Sequence, residues 1–238
     1  MSSEFLWAVR AQPTRGPKPA LTLDQITDAA LAVADSEGLA AVSMQRVAAD
    51  LGFTKMSLYR YLPGKAELVA LMVEKAVGAP PDVDTGDWRH ALRDWSHRLL
   101  AAYLRHPWVL EATVGPRPLG PNELGWMECA LSALTGTGLS GSERLDTIAV
   151  LAGHARMIAQ QAAASRTSET QLTTAVATVL REHADRFPAL AETAAAAAVD
   201  GGRDQAFTFG LDRILDGLAT LMTTKRVPSP SHGGAPSA

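Results

Sequence analysis

Between Ser43 and Tyr61 the sequence writes two helices of about two turns each and leaves only Gly52 and Phe53 between them. Helices this short are marginal alone in water, so each must be held by its neighbours. Ser43 is a ready N-cap, and Val42 is placed to staple onto Val47 across the first turn. The first of the pair ends by Leu51-Gly52. Thr54 is a second N-cap candidate and opens a helix running through Tyr61, which Pro63-Gly64 breaks. The brace comes from upstream. Thr22 and Gln25 match a capping box, Ile26, Ala30 and Val33 recur at helical spacing, and Gly38 is a natural stop. A longer amphipathic helix follows with Leu68, Leu71, Met72 and Lys75-Ala76, before Gly78 and Pro80-Pro81 end it.

Two short helices joined by a tight glycine turn form a helix-turn-helix unit. In such a unit the first helix braces the second across a DNA backbone, and the second enters the major groove with its N-terminal residues at base edges. Here that end reads Thr54-Lys55-Met56-Ser57, one cation among small polar and thioether side chains suited to bases and methyl groups. Tyr59 and Tyr61 offer hydroxyls to phosphates, and Lys65 places an ammonium at the start of the next helix. A formal net charge of -3 argues against nucleic acid only until the charges are placed. From Ser43 to Lys65 stand Arg46, Lys55, Arg60 and Lys65 against Asp50 alone, and Arg10, Arg15 and Lys18 precede them without an acid.

The rest of the chain is expected to be helical. Residues 78–87, rich in Gly, Pro and Asp, make the best domain boundary. Beyond them Trp88, Leu92, Trp95, Leu99 and Ala102 form one stripe, residues 121–134 another helix, and Leu145, Ile148, Ala152, Ala155, Ile158 and Ala162 a third. Segments 168–184 and 188–199 follow, then a last helix from Arg203 to Thr224. Strand alternation is absent from the pattern, and Ala and Leu dominate a composition with 5% aromatics. The expected organisation is an all-α fold: residues 1–20 a flexible basic arm, 21–77 a three-helix DNA-binding head with its connecting helix, 88–225 a larger helical domain, and 226–238 a disordered tail.

Other chemistries find little support. The single cysteine, Cys129, excludes a disulfide framework and any cysteine-built zinc site. His90, Asp94 and His97 fall on adjacent helical turns, yet a solvated face explains them, so no metal is expected. The glycines at Gly136, Gly138 and Gly141 lack the lysine and strand context of a phosphate loop and read as a turn. No nucleophile elbow or His-Glu-x-x-His helix appears, so an enzyme with an incidental helix pair is disfavoured. No apolar run reaches the roughly 18 residues that span a bilayer, and the patch Phe5–Val9 is too short for an export signal. A cytoplasmic location without membrane contact is expected, and no cofactor.

The run from Ser43 through Lys65 closely resembles the DNA-binding signature of the tetracycline-repressor family, above all in Ala48, Gly52, Leu58-Tyr59 and Lys65. The helix ending Ala34-Asp35-Ser36-Glu37-Gly38 matches that family's opening helix. The resemblance is dense over 22–77 and looser beyond, where Gly210–Leu218 looks like the family's closing helix. It implies a transcriptional repressor that binds a palindromic operator as a homodimer, with a pocket in the second domain and a small hydrophobic inducer that spoils the spacing of the reading heads. Carried over by position, Gln45, Lys55, Met56 and Ser57 face bases, and Ser43, Tyr59, Tyr61 and Lys65 face phosphates. Where the family's namesake reads guanine with an arginine, this chain has Gln45, whose geometry suits adenine. No counterpart of magnesium–tetracycline ligands is evident.

For the sensor, an apolar pocket lined by Trp95, Trp108, Trp126, His154 and Met157 is expected. His154 within an apolar helix also fits a hydrogen-bonded histidine of the core. On the last helix Phe207, Leu211, Ile214, Leu218 and Leu221 form a row that Leu215 and Met222 widen beyond one face. A width greater than one core contact suggests a second, with Ile158, Leu211, Ile214 and Leu218 at a dimer interface. A DNA-binding protein without any small ligand remains a third class, set apart by the lack of a pocket.

Overall fold

The computed structural model of the protein describes residues 4–7, 21–200 and 205–226, and among them every regular element is a helix. After a short α1 (Glu4–Trp7), the head is built from α2 (Leu23–Glu37), α3 (Met44–Asp50), α4 (Lys55–Leu58) and α5 (Lys65–Val77). The sensor region holds α6 (Trp88–Arg105), α7 (Val109–Ala112), α8 (Pro121–Ala133), α9 (Gly141–Glu182), α10 (Pro188–Asp200) and α11 (Ala206–Arg226). The caps follow the residue chemistry. The Thr22 hydroxyl accepts the Gln25 amide at 3.1 Å while the Gln25 side chain accepts the Thr22 amide at 2.8 Å. Ser43 and Thr54 cap α3 and α4 with the hydroxyl alone, accepting from Arg46 N and Ser57 N without a reciprocal bond.

Buried side chains gather in two clusters. One joins Ile26, Val33, Val42, Val47, Leu58, Leu62, Leu68 and Met72 inside the head. The other joins Leu92, Trp95, Trp126, Leu134, Ile148, Leu151, Leu211 and Leu215. Val77 and Tyr103 touch both. In the second cluster α6 lies along α9, α11 covers the two, and α8 closes against α5, α6 and α9. Two ion pairs tie α6 to α11: Arg89–Asp216 at 2.5 Å and Arg93–Asp212 at 2.6 Å.

Several sequence expectations give way. The segments 145–162 and 168–184 form one continuous helix, α9, opened by a capping box between Ser140 and Glu143. No proline or glycine stands between Ala155 and Glu182, and the polar run Ser165–Ser168 does not stop a helix. The recognition helix, expected to run to Tyr61, is α-helical only from Lys55 to Leu58 and then turns, with the Tyr61 amide donating to Leu58 O at 2.9 Å. The arm is not free throughout, since Leu6 is buried in the head core with Phe5 beside it. Residues 8–20 and the tail from Val227 lie outside the described residues.

Candidate nucleic-acid interface and sensor core

The reading surface starts from the turn between α3 and α4. Gly52 adopts a φ of +74°, open to glycine at no steric cost, and the Phe53 amide donates to Ala48 O at 2.9 Å. This tight reversal aims α4 outward. Leu58 faces in and is fully buried, so its neighbours face out: Met56 is 72% exposed, and Lys55, Tyr59 and Tyr61 are exposed with it. The Lys55 ammonium stands 5.5 Å from the Tyr59 ring centroid, and the Ser57 hydroxyl lies 2.9 Å from that of Thr54. Gln45 and Ser43 are exposed on the neighbouring α3, and Lys65 reaches Leu39 O at 3.5 Å.

Not every cation in this region is available. Arg46 is held by Glu37 at 2.7 Å and by Asp50 at 3.0 Å, and those hydrogen bonds push its guanidinium still further toward the charged form. Lys75 pairs with Asp28 at 2.5 Å. Arg60, counted among the cations of this segment but given no contact role from the sequence, is exposed and has no ion-pair or hydrogen-bond partner among the described residues. Its adjacency to Tyr59 and Tyr61 is the signal that marks it.

The sensor residues are brought together only in part. The Trp95 indole donates to Trp126 O at 2.8 Å, the two rings meet edge-on with centroids 6.1 Å apart, and Trp126 donates to Gly78 O at 3.1 Å. His154 lies flat on Phe207, with its Nε2 2.9 Å from Phe207 O, which is the hydrogen-bonded histidine. His97 meets that ring edge-on with centroids 5.0 Å apart, while Asp94 pairs with Arg98 at 2.8 Å.

Trp108 does not join the sensor core. It sits in the head cluster and donates to Asp35 at 2.7 Å, because the chain turns back at His106 and drives α7 into the head. Met157 is 46% exposed on the outer side of α9. Two surface hollows, of about 340 Å³ and 440 Å³, are lined by Glu128, Ser132 and Arg144 and by Thr208, Phe209 and Asp212, with none of the expected pocket residues among their walls.

The row on α11 also divides. Phe207, Leu211, Leu215 and Met222 are buried within the chain, so Leu211, at 1% exposed, has no surface left for a partner. Ile214 and Leu218 are half-buried and Leu221 is 38% exposed, on the outer side. On α9 Ile158 is half-buried, and Val150 is exposed near Met157.

Head and sensor are joined by polar contacts. Asp35 Oδ1, besides the Trp108 indole, lies 2.8 Å from His106 Nδ1. Arg156 of α9 holds Leu110 O and the Thr113 hydroxyl, and Arg117 pairs with Glu123. Between them Tyr103 is desolvated, which pushes its hydroxyl pKa up. No helix of the described residues is long and apolar enough to cross a membrane, and no group of three metal-ligating side chains occurs among them.

Comparison with known proteins places this arrangement. Residues 26–72 match the model for bacterial regulatory proteins of the tetR family, and residues 80–222 match the tetracyclin repressor-like C-terminal domain. The HTH-type transcriptional repressor DrrR1 of Streptomyces coeruleorubidus is 39% identical over 94% of this chain and 86% of its own length. An HTH-type transcriptional regulator of Saccharopolyspora erythraea is 30% identical over 85% of this chain and 86% of its own. Apo ActR from Streptomyces coelicolor superposes with a TM-score of 0.72 at 25% identity, covering 87% of this chain and 99% of that one. ActR in complex with actinorhodin gives 0.70 at 27%, covering 84% and 96%. The chain therefore belongs to the tetracycline-repressor family of helix-turn-helix transcriptional repressors, regulators rather than enzymes.

Proposed function

We infer that this repressor works in the cytoplasm as a homodimer that grips a palindromic operator and lets go when a small hydrophobic inducer occupies its sensor region. The observation that carries the reading is the outward face of α3 and α4. Gln45, Lys55, Met56, Tyr59 and Tyr61 are exposed together there on a rigid head, with Ser57 half-exposed among them. Ser43, Tyr59, Tyr61 and Lys65 suit phosphates; Gln45, Lys55, Met56 and Ser57 suit base edges. Residues 21–77 form the reading head and 88–225 the sensing and dimerising unit.

The inducer reading draws on ActR, crystallised with actinorhodin and with (S)-DNPA, and on the apolar cluster around Trp95, Trp126 and His154. An inducer releases DNA only by binding the DNA-incompetent state more tightly. The outer residues of α9 and α11, Ile158, Ile214 and Leu218, suit a four-helix contact between two copies.

The test is retention. Purified protein is used to enrich duplexes from a randomised pool, and the enriched sequences are challenged with a panel of small hydrophobic compounds, actinorhodin among them, while tryptophan fluorescence is followed. Palindromic enrichment, with release by a compound that quenches Trp95 and Trp126, supports the reading. Enrichment of non-palindromic sequence by a monomer refutes it.

A further inference from the structure

The carboxylate of Glu74 is buried, at 7% exposed, on the last turn of α5. Both of its oxygens turn to the start of α8. Oε2 accepts the Asn122 amide at 2.8 Å and Oε1 accepts the Glu123 amide at 3.1 Å. The Asn122 side-chain amide donates back to Glu74 O at 2.8 Å. Amides of a first helical turn have no partner within their own helix and carry the positive end of its dipole, so a carboxylate satisfies them better than any neutral acceptor.

The seat is shaped for this group. A Cβ on Gly120 would stand 2.3 Å from Glu74 Cδ and 2.6 Å from its Oε1. Gly120 has an extended backbone that any residue adopts, so what glycine supplies here is space for Glu74. The other hydrogen bonds from α8 in this direction reach only the linker: Trp126 to Gly78 O, and Cys129 to Pro81 O. Glu74 is where α8 takes hold of the helix that carries the head. One turn after Glu123, the same α8 supplies Trp126 to the sensor core.

We propose that Glu74, seated under Gly120, is a positioning residue that locks the sensor region to the reading head and so sets the half-site spacing the repressor accepts. The proposal rests on the dimeric repressor reading given above. Movement of α8 around Trp126 reaches α5 through two hydrogen bonds to one carboxylate, and loss of that grip frees the head to tilt without disturbing its own core.

Two variants separate positioning from mere stability. Glu74→Gln keeps the shape but turns an amide N–H toward one of the two donors. Gly120→Ala keeps the charge and pushes it off its seat. Each is measured on three probes: the palindrome enriched by the wild type, the same palindrome lengthened or shortened by one base pair between half-sites, and a single half-site. The expected result is a loss of about fivefold or more on the palindrome, a flattened spacing preference, and half-site binding unchanged. In a Glu74→Ala background, Gly120→Ala should add nothing further, as coupled neighbours require. Should Glu74→Gln fail to fold by circular dichroism, Gly120→Ala and Gly120→Ser carry the test. Folded variants with wild-type affinity and spacing preference overturn the proposal, as do equal losses on palindrome and half-site. A wild type indifferent to spacing overturns the dimeric reading itself, and the proposal with it.

Discussion

Leu218→Glu asks whether the outer face of α11 meets a second copy. Leu218 is half-buried within one chain, beside half-buried Ile214 and a Leu221 that is 38% exposed. Only part of its surface is left for a partner to cover, so truncation to Ala should cost a dimer about 1 kcal/mol per copy. A carboxylate is a different matter. Enclosing it in an apolar contact has an effective penalty of several kcal/mol, and an isologous interface meets that penalty twice. A total of about 6 kcal/mol corresponds to roughly a 10⁴-fold rise in the dimer dissociation constant. A nanomolar dimer would become one of tens of micromolar. Sedimentation velocity at about 1 μM then reads a monomer, and operator binding at that concentration is lost while the helical circular dichroism signal persists. If the variant unfolds, Leu221→Glu puts the same charge on a more exposed position of the same face. A folded Leu218→Glu protein that remains a dimer with full operator affinity would refute the interface.

Lys65→Ala should weaken binding to every duplex alike and lower the salt slope by about one per half-site, whereas Gln45→Ala should relax preference at one operator position at a cost of about 1–3 kcal/mol. Anisotropy titrations on matched and random duplexes distinguish them; equal losses for Gln45→Ala on both would make it a backbone contact. Lys225 holds Glu143 at 2.6 Å, and that bond with the Ser140 cap draws the carboxyl from its ordinary 4.5 down to about 2. A carboxyl whose pKa is lowered by folding stabilises the fold above its ordinary value and loses that contribution as pH falls through the folded one. Lys225→Met should therefore lower the melting temperature at pH 7, with the gap closing between about pH 4.5 and pH 2. A gap that persists at pH 2 would remove Glu143 from the account.

Local grammar was legible, and long-range polar partnership was not. Thr22, Ser43 and Thr54 act as caps because their hydroxyls sit one residue before a helical pattern, information contained within four positions of chain. Ser140 with Glu143 carries the same signal at the start of α9 and was open to the same reading. Trp108 marks the limit. Its indole is as apolar as those of Trp95 and Trp126, and nothing in its neighbourhood says that it leaves the sensor for the head and bonds Asp35, 73 positions away. Glu74 is similar. On the sequence it is a charge on an amphipathic helix, ordinarily solvent-facing, and only the arrival of α8 makes it a buried cap. On α11 the widened row was visible, but placing Leu211 inward required knowing that α6 and α9 already cover it.

The formal charge of -3 hides how few cations the head has free, and that number predicts how its grip on DNA depends on salt. Five Lys and Arg residues lie within 21–77: Arg46, Lys55, Arg60, Lys65 and Lys75. Arg46 is spent on Glu37 and Asp50, and Lys75 on Asp28, which braces α2, α3 and α5 against one another. Lys55, Arg60 and Lys65 remain without ion-pair partners among the described residues, and two-fold symmetry doubles them. Six cations brought against the duplex, Lys55 at the base edges and Arg60 and Lys65 at the backbone, displace about six counterions and give a slope of about -5 for log affinity against log salt. Arg10, Arg15 and Lys18 would double the count if they too meet phosphates or line the minor groove. Replacing those three by Gln leaves Leu6 in its place in the head core and so isolates their charge. A variant slope near -5 from a wild type near -10 assigns the segment to DNA, and equal slopes near -5 leave it in solvent. A variant slope near -2 would mean that Lys55, Arg60 and Lys65 do not all reach the duplex, and the reading face would have to be redrawn.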